Sequence, residues 1–152
     1  MKKLTLLATG LMLSTGVFAA AADDIVVQEP YVRLAPPNAV ATGAFMVFQN
    51  LGAKMVKVLK VDSPVAKVSE MHTHLNEAGV MKMRPVAAIE IPAKGEAVLK
   101  PGSLHVMLID LKSPLKEGES VPLSFSFDDG STKKIEAKVV RPQSMPMQHK
   151  HH

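Results

Sequence analysis

The chain has 152 residues and a formal net charge of +4, with 4% aromatic residues and no cysteine. This length favours a single domain, and the lack of cysteine excludes disulfides, thiol chemistry and thiolate metal ligands. No basic run or basic–aromatic alternation is present, so we do not expect the protein to bind nucleic acid.

The N-terminus has the features of a secretory signal peptide. Two lysines precede an apolar run over residues 4–18, which is too short to span a bilayer, and four alanines follow, Ala19 to Ala22. Small residues of this kind are what signal peptidase requires. We predict a signal peptide over 1–22, cleaved within Ala19 to Ala22, and a periplasmic protein with no later membrane span and no lipid anchor. The alternative is an apolar segment retained as a membrane anchor.

The rest of the chain predicts strands rather than helices, because short apolar or β-branched runs alternate with turn residues. The predicted strands cover 24–34, 41–50, 55–63, 66–75, 80–86, 104–111, 121–127 and 133–140, and residues 91–103 are a loop with one short strand. Pro30 in the first run indicates an edge strand or a bulge. We predict an all-β antiparallel sandwich over 23–140, followed by a flexible tail over 141–152.

Histidine and methionine are concentrated in "SEMHTHLNEAGVMKMRPV", residues 69–86, and in "HVM", residues 105–107. Residues i and i+2 of a strand lie on one face. The pairs that share a face are therefore His72 with His74, Met81 with Met83, and His105 with Met107. A tight turn between the first two pairs would make them neighbours, and we expect all three pairs to converge near one end of the sandwich.

A set of imidazoles and thioethers favours copper over other metals. Thioether sulfur is a soft neutral ligand that selects Cu(I), and imidazole also suits copper, whereas zinc prefers thiolate, histidine and carboxylate, and calcium prefers oxygen. Taken singly, Met46 and Met55 are expected to fill the core and Met71 to point inward by parity. A lone histidine such as His74 is more often a surface residue or a hydrogen-bonded core residue than a ligand. The copper hypothesis depends on the whole set.

The spacing of four of these residues resembles a known family pattern. Ten residues lie between His72 and Met83, twenty-one between Met83 and His105, and one between His105 and Met107. This His-x10-Met-x21-His-x-Met pattern resembles the PCuAC family of periplasmic copper chaperones. The surrounding stretches "EMHTH", "GVMKMRPV", "PGSLHVML" and "LKEGESVPLSFSFDDG" are also similar, over about residues 25–140.

The resemblance implies a cupredoxin-like β-sandwich or barrel that binds Cu(I) through His72, Met83, His105 and Met107. It also implies delivery of copper to the dinuclear copper site of cytochrome c oxidase, alongside Sco-type proteins. His74 and Met81 are candidate accessory ligands.

The tail carries further candidate ligands, namely Met145, Met147, His149, His151 and His152. It resembles the Met/His-rich extensions with which some members of the family bind Cu(II), and mobile imidazoles suit that ion. The alternatives are a solvated tail with incidental histidines and the remnant of a purification tag.

The sequence is consistent with two other functions and argues against two more. A general periplasmic copper buffer or resistance protein, or a sandwich-type interaction module without a metal, is consistent with the sequence. Blue-copper electron transfer needs a cysteine ligand, and no Ser/His/Asp set or carboxylate pair suggests catalysis. We therefore predict that the protein is not an enzyme.

Overall fold

Ten strands and one short helix make up residues 19–142, the part of the chain that the computed structural model describes. They are α1 Ala21–Asp24, β1 Ile25–Arg33, β2 Ala41–Asn50, β3 Val56–Asp62, β4 Ala66–Glu77, β5 Val80–Pro85, β6 Ile89–Ile91, β7 Glu96–Leu99, β8 His105–Leu111, β9 Ser120–Phe127 and β10 Thr132–Val140. No helix among these residues is long and apolar enough to cross a membrane.

The strands form one continuous sheet in the order β5-β4-β8-β2-β1-β10-β9-β3-β6, and β7 pairs with β2 next to β8. Every pairing is antiparallel except that of β1 with β10. The sheet folds over so that β3 packs against β4. The predicted all-β, antiparallel-dominated architecture is confirmed.

The core lies between the two halves of this folded sheet, and its side chains come from alternate positions of each strand. Phe48 of β2 meets Phe125 of β9 edge-on, with ring centres 5.0 Å apart. Val106 and Leu108 of β8 and Met71 of β4 are buried in the same cluster. One face of each strand therefore supplies the apolar surface whose burial stabilises the fold.

The β4–β5 hairpin is closed by a two-residue turn of the kind that the right-handed twist of paired strands favours. Ala78 and Gly79 have φ values of 52° and 82°, and the side-chain oxygen of Asn76 accepts a hydrogen bond from the backbone of Gly79 at 2.8 Å. Two successive positive φ angles are typical of a type I′ hairpin. The turn fixes the register that places His74 opposite Met83.

The structure departs from the sequence predictions in several places. The bulge at Pro30 is present, since the β1–β2 register shifts between Gln28 and Tyr31, but β1 is an interior strand and not an edge strand. Strand β6 and helix α1 were not predicted because each is very short. Met46 is buried as expected, whereas Met55 is 51% exposed. The expectation that Met55 fills the core is wrong, because it precedes β3 and lies outside its alternating pattern.

The predicted termini lie largely outside the described residues, which exclude 1–18 and 143–152. The predicted boundary after Ala22 falls inside α1. Ala22 is buried, its backbone N–H donates to Ser131 Oγ at 3.0 Å, and its carbonyl accepts from Lys133 Nζ at 3.1 Å. Residues just before the predicted boundary thus contact the β9–β10 hairpin.

Candidate metal centre

Apart from Met71, the histidines and methionines of the two dense segments lie on the face of the sheet opposite to the core; they are His72, His74, Met81, Met83, His105 and Met107. His72 of β4 is directly opposite His105 of β8, and His74 is opposite Met83 of β5. Their sequence neighbours Met71 and Val106 belong to the core. Because side chains alternate across a strand, the His/Met cluster points outward.

Four members of this cluster line a depression of about 380 Å³ on the outer face, namely His74, Met83, His105 and Met107, whereas His72 does not line it. Its walls come from β1 and the loop after it, from β2, from the β4–β5 hairpin, and from the loop before β8; they include Arg33, Phe45, His74, Met83, Pro101, Gly102, His105 and Met107. Gly43 also lines it, and a Cβ there would lie 2.9 Å from the ring of Phe45. Glycine at that position therefore lets the Phe45 ring lie over β2 beside His105.

His105 is held in one orientation with one nitrogen free for a ligand. Its Nδ1 lies 2.8 Å from the Ser103 carbonyl, which only accepts, so this nitrogen carries the proton. Its Nε2 lies 3.0 Å from the sulfur of Met83. Burial lowers the pKa of His105, the hydrogen bond to Ser103 opposes that shift, and the nearby His74, His72 and Arg33 charges lower the pKa further. The neutral ring therefore directs an Nε2 lone pair at the Met83 thioether.

His72 also presents an unused nitrogen. Its Nε2 is 2.7 Å from the carboxylate of Glu70, to which it donates, and its Nδ1 is buried without a hydrogen-bond partner. A carboxylate behind a histidine is a common way to orient the ring of a metal ligand. A buried Nδ1 lone pair left without a donor fits a metal better than it fits a structural role.

The remaining candidates are placed at different distances from this centre. The ring centre of His105 is 5.2 Å from that of His74 and 5.9 Å from that of His72. Met107 is half-buried and lines the depression, as do His74 and Met83. Met81 is 57% exposed and does not line it. The tail candidates lie outside the described residues.

The donor set itself restricts the metal. Among residues 19–142 no group of three or more histidine, cysteine, aspartate or glutamate side chains is placed to hold an ion. The donors that line the depression are imidazoles and thioethers, and Cu(I) is the biological ion that these two ligand types suit best. A second depression of about 470 Å³, between β3, β9 and β10, has no histidine or methionine in its lining.

Sequence reasoning missed the residues that support these ligands. Glu70 shares the face of His72 at position i−2, so strand parity could have identified it. The carbonyl of Ser103 and the side chains of Phe45 and Arg33 come from separate loops and strands. Only the folded chain brings them to the depression.

Comparison with known proteins agrees with this fold. Residues 25–139 match the LpqE-like family, described as "Putative lipoprotein LpqE-like". A protein of Leifsonia xyli subsp. xyli named "Putative lipoprotein Lxx21020" is 30% identical over 119 residues, which span 78% of this chain and 70% of that protein.

Superposition on solved structures also agrees with the fold described above. The copper-bound PCuAC domain from PmoF2 superimposes with a TM-score of 0.68 at 20% identity, covering 81% of this chain and 97% of that domain. The Cu(I) form of DR1885 from Deinococcus radiodurans superimposes with a TM-score of 0.61 at 31% identity, covering 84% of each chain. The chain therefore belongs to the LpqE-like family and has the fold of PCuAC domains.

Proposed function

We propose that this protein is a periplasmic copper chaperone that binds Cu(I) through His72, Met83, His105 and Met107 and passes it to another protein. The observation that carries the proposal is the contact between His105 Nε2 and the Met83 sulfur at 3.0 Å. Two electron-pair donors this close together can serve as neighbouring ligands of one cation. The Cu(I)-bound state of DR1885 and the copper-bound PCuAC domain support the choice of metal.

The chemistry of the ligands suits transfer rather than permanent storage. Neutral imidazoles and thioethers leave bound Cu(I) with its single positive charge, and Met83 is 41% exposed, so an incoming ligand has access. A thiolate of the acceptor donates an electron pair to the copper while the thioether and imidazole bonds break. No electron is transferred, and the ion moves towards the softer anionic ligand.

The proposal also includes the compartment of the protein and the acceptor that receives its copper. By its resemblance to PCuAC chaperones, we place the protein in the periplasm after removal of a signal peptide. We take the acceptor to be the dinuclear copper site of cytochrome c oxidase, with a Sco-type protein as a second partner. The tail residues Met145 to His152 would hold Cu(II), and the proposal includes no catalytic activity.

An anaerobic Cu(I) titration against a chromogenic chelator tests the metal site. We expect the protein without residues 1–22 to bind one Cu(I), the Met83→Leu/Met107→Leu variant to lose that binding, and a chain ending at Val140 to retain it. Met46→Leu/Met55→Leu is the matched control, because neither residue lines the depression. Binding that survives the first variant and disappears with the tail would contradict the proposal.

A copper buffer is the second candidate, since the same ligands would serve it. A deletion strain separates the two functions. Loss of oxidase activity at low copper, with unchanged tolerance of high copper, is expected of a chaperone. The opposite pattern is expected of a buffer and would overturn delivery.

A further inference from the structure

Arg33 lines the same depression as His74, Met83, His105 and Met107. It is half-buried at the end of β1, and its guanidinium carbon is 5.3 Å from the centre of the Phe45 ring. The Phe45 ring in turn is 6.1 Å from the ring of His105. A permanent positive charge therefore lies one aromatic ring away from the proposed copper ligands.

The guanidinium of Arg33 is not neutralised by the described part of the chain. Its Nε is buried and has no hydrogen-bond partner, and none of the salt bridges among residues 19–142 involves it. Burying a donor of a charged group without a partner is costly. Stacking on Phe45 offsets part of this cost but uses none of the N–H donors.

The position of Arg33 is also unfavourable for binding a cation. Its guanidinium carbon is 5.3 Å from the centre of the Phe45 ring, which is 6.1 Å from the ring of His105, so its charge is close to the ligand set. The field of this charge opposes Cu(I). A pocket built only to hold copper tightly would be better without this residue, whereas a pocket that must admit an anionic ligand would benefit from it.

We propose that Arg33 forms an anion-binding subsite beside His105 and Met83 that receives the anionic group of the copper acceptor. The inference rests on the proposed chaperone function. Guanidinium is the side chain best suited to anions at interfaces, since it is always charged and presents several N–H donors. An acceptor thiolate or neighbouring carboxylate held there would lie next to the ligands from which copper leaves.

The first test uses the copper-free protein and the NMR signal of the Arg33 Nε–H group. We expect thiocyanate, an anionic probe, to shift this signal in a saturable way. Arg84 is the internal control, because its guanidinium is already paired with Glu77 at 3.0 Å. Equal, non-saturating changes at both arginines would overturn the subsite.

The second test measures how fast Cu(I) is removed by two chelators of the same binding type. Bathocuproine disulfonate is anionic and neocuproine is uncharged. Arg33→Gln should slow removal by the anionic chelator about fivefold, as expected from the loss of one charge at close range, and leave the uncharged chelator unaffected. Arg33→Lys should keep most of the wild-type rate, and Arg84→Gln is the control for net charge. Equal effects on both chelators, or no effect on either, would contradict the proposal.

The two tests separate this inference from the proposed function. If the wild-type protein fails to bind Cu(I), the chaperone proposal fails, and the thiocyanate titration still decides whether Arg33 binds anions. If copper binds but Arg33 responds like Arg84 and Arg33→Gln behaves like wild type, only the subsite is wrong.

Discussion

Strands β4 and β8 show two faces of opposite chemistry. On the inner face, Met71, Val106 and Leu108 are at most 5% exposed and pack in the core. On the outer face, His72 and His105 lie opposite each other, and their free nitrogens have no structural partner other than Met83. Adjacent residues of one strand thus serve stability and binding separately.

The role of a methionine in this protein cannot be read from the residue type alone. Met46 and Met71 fill the core, whereas Met83 is 41% exposed and contacts a histidine nitrogen. Strand parity and cross-strand register decide between these outcomes. Substitutions on each face should therefore affect different measurements.

The largest effect is expected from the inner face. Phe48→Ala should lower the free energy of unfolding by about 3–5 kcal/mol, because it leaves a cavity where two phenylalanine rings meet. Denaturant unfolding followed by circular dichroism measures this. Leu75→Ala is the control, since Leu75 is 47% exposed and its loss should change stability by less than about 0.5 kcal/mol. Similar losses in the two variants would contradict the assignment of the core.

A matched pair of methionine substitutions compares the faces directly. Met83→Leu removes a ligand, so it should weaken Cu(I) binding by about 100-fold, the upper end of the losses caused by removing a residue that only supports a ligand, and leave unfolding unchanged. Met71→Leu should change stability by less than about 1.5 kcal/mol and leave copper affinity at the wild-type value. Chelator competition and denaturant unfolding on both variants test the pair. Copper loss in Met71→Leu would show that the faces are not independent.

Variants of Glu70 test whether copper binding requires the His72 ring to be held in its observed orientation. Glu70→Leu removes the acceptor of the His72 Nε2–H bond and should weaken Cu(I) binding about 10-fold or more, within the range for residues that orient a ligand. Glu70→Gln keeps an acceptor and should restore most of the affinity. Glu90→Gln is the control, because Glu90 pairs with Lys57 on β3. Equal Cu(I) affinity in Glu70→Leu and wild type would show that Glu70 has no role in copper binding.

The smallest effect is a pH dependence of the copper-free protein. Burial lowers the pKa of His105 in the folded state, so the unfolded chain, with a histidine pKa of about 6.5, takes up a proton first as the pH falls. Stability from this group is complete above pH 6.5 and decreases below it. Unfolding at pH 7.5, 6 and 5 should show a shallower decrease for His105→Gln than for wild type. An equal decrease of stability with falling pH in the two proteins would contradict a lowered pKa of His105.

Much of this architecture is predictable from alternation and turns. The eight main strands appear within a few residues of their predicted bounds, and the turn after Asn76 closes the predicted hairpin. Parity also placed His72 with His74 and His105 with Met107. These features depend on local patterns that a single sequence carries.

Other features depend on contacts between distant segments. The parallel pairing of β1 with β10 joins the two ends of the domain, and no local pattern encodes it. Arg33 and Phe45 reach the depression only because β1 and β2 pair beside β8. The prediction that Met55 fills the core was wrong because Met55 lies in the connection before β3 rather than on the strand.

X-ray absorption at the copper edge of the Cu(I)-loaded protein tests the central claim most directly. We predict both sulfur and nitrogen neighbours around the copper, with the sulfur contribution lost in Met83→Leu/Met107→Leu and kept in Met46→Leu/Met55→Leu. A spectrum with nitrogen or oxygen neighbours alone, or one unchanged by the first substitution pair, would contradict a copper site on the outer face of β4, β5 and β8.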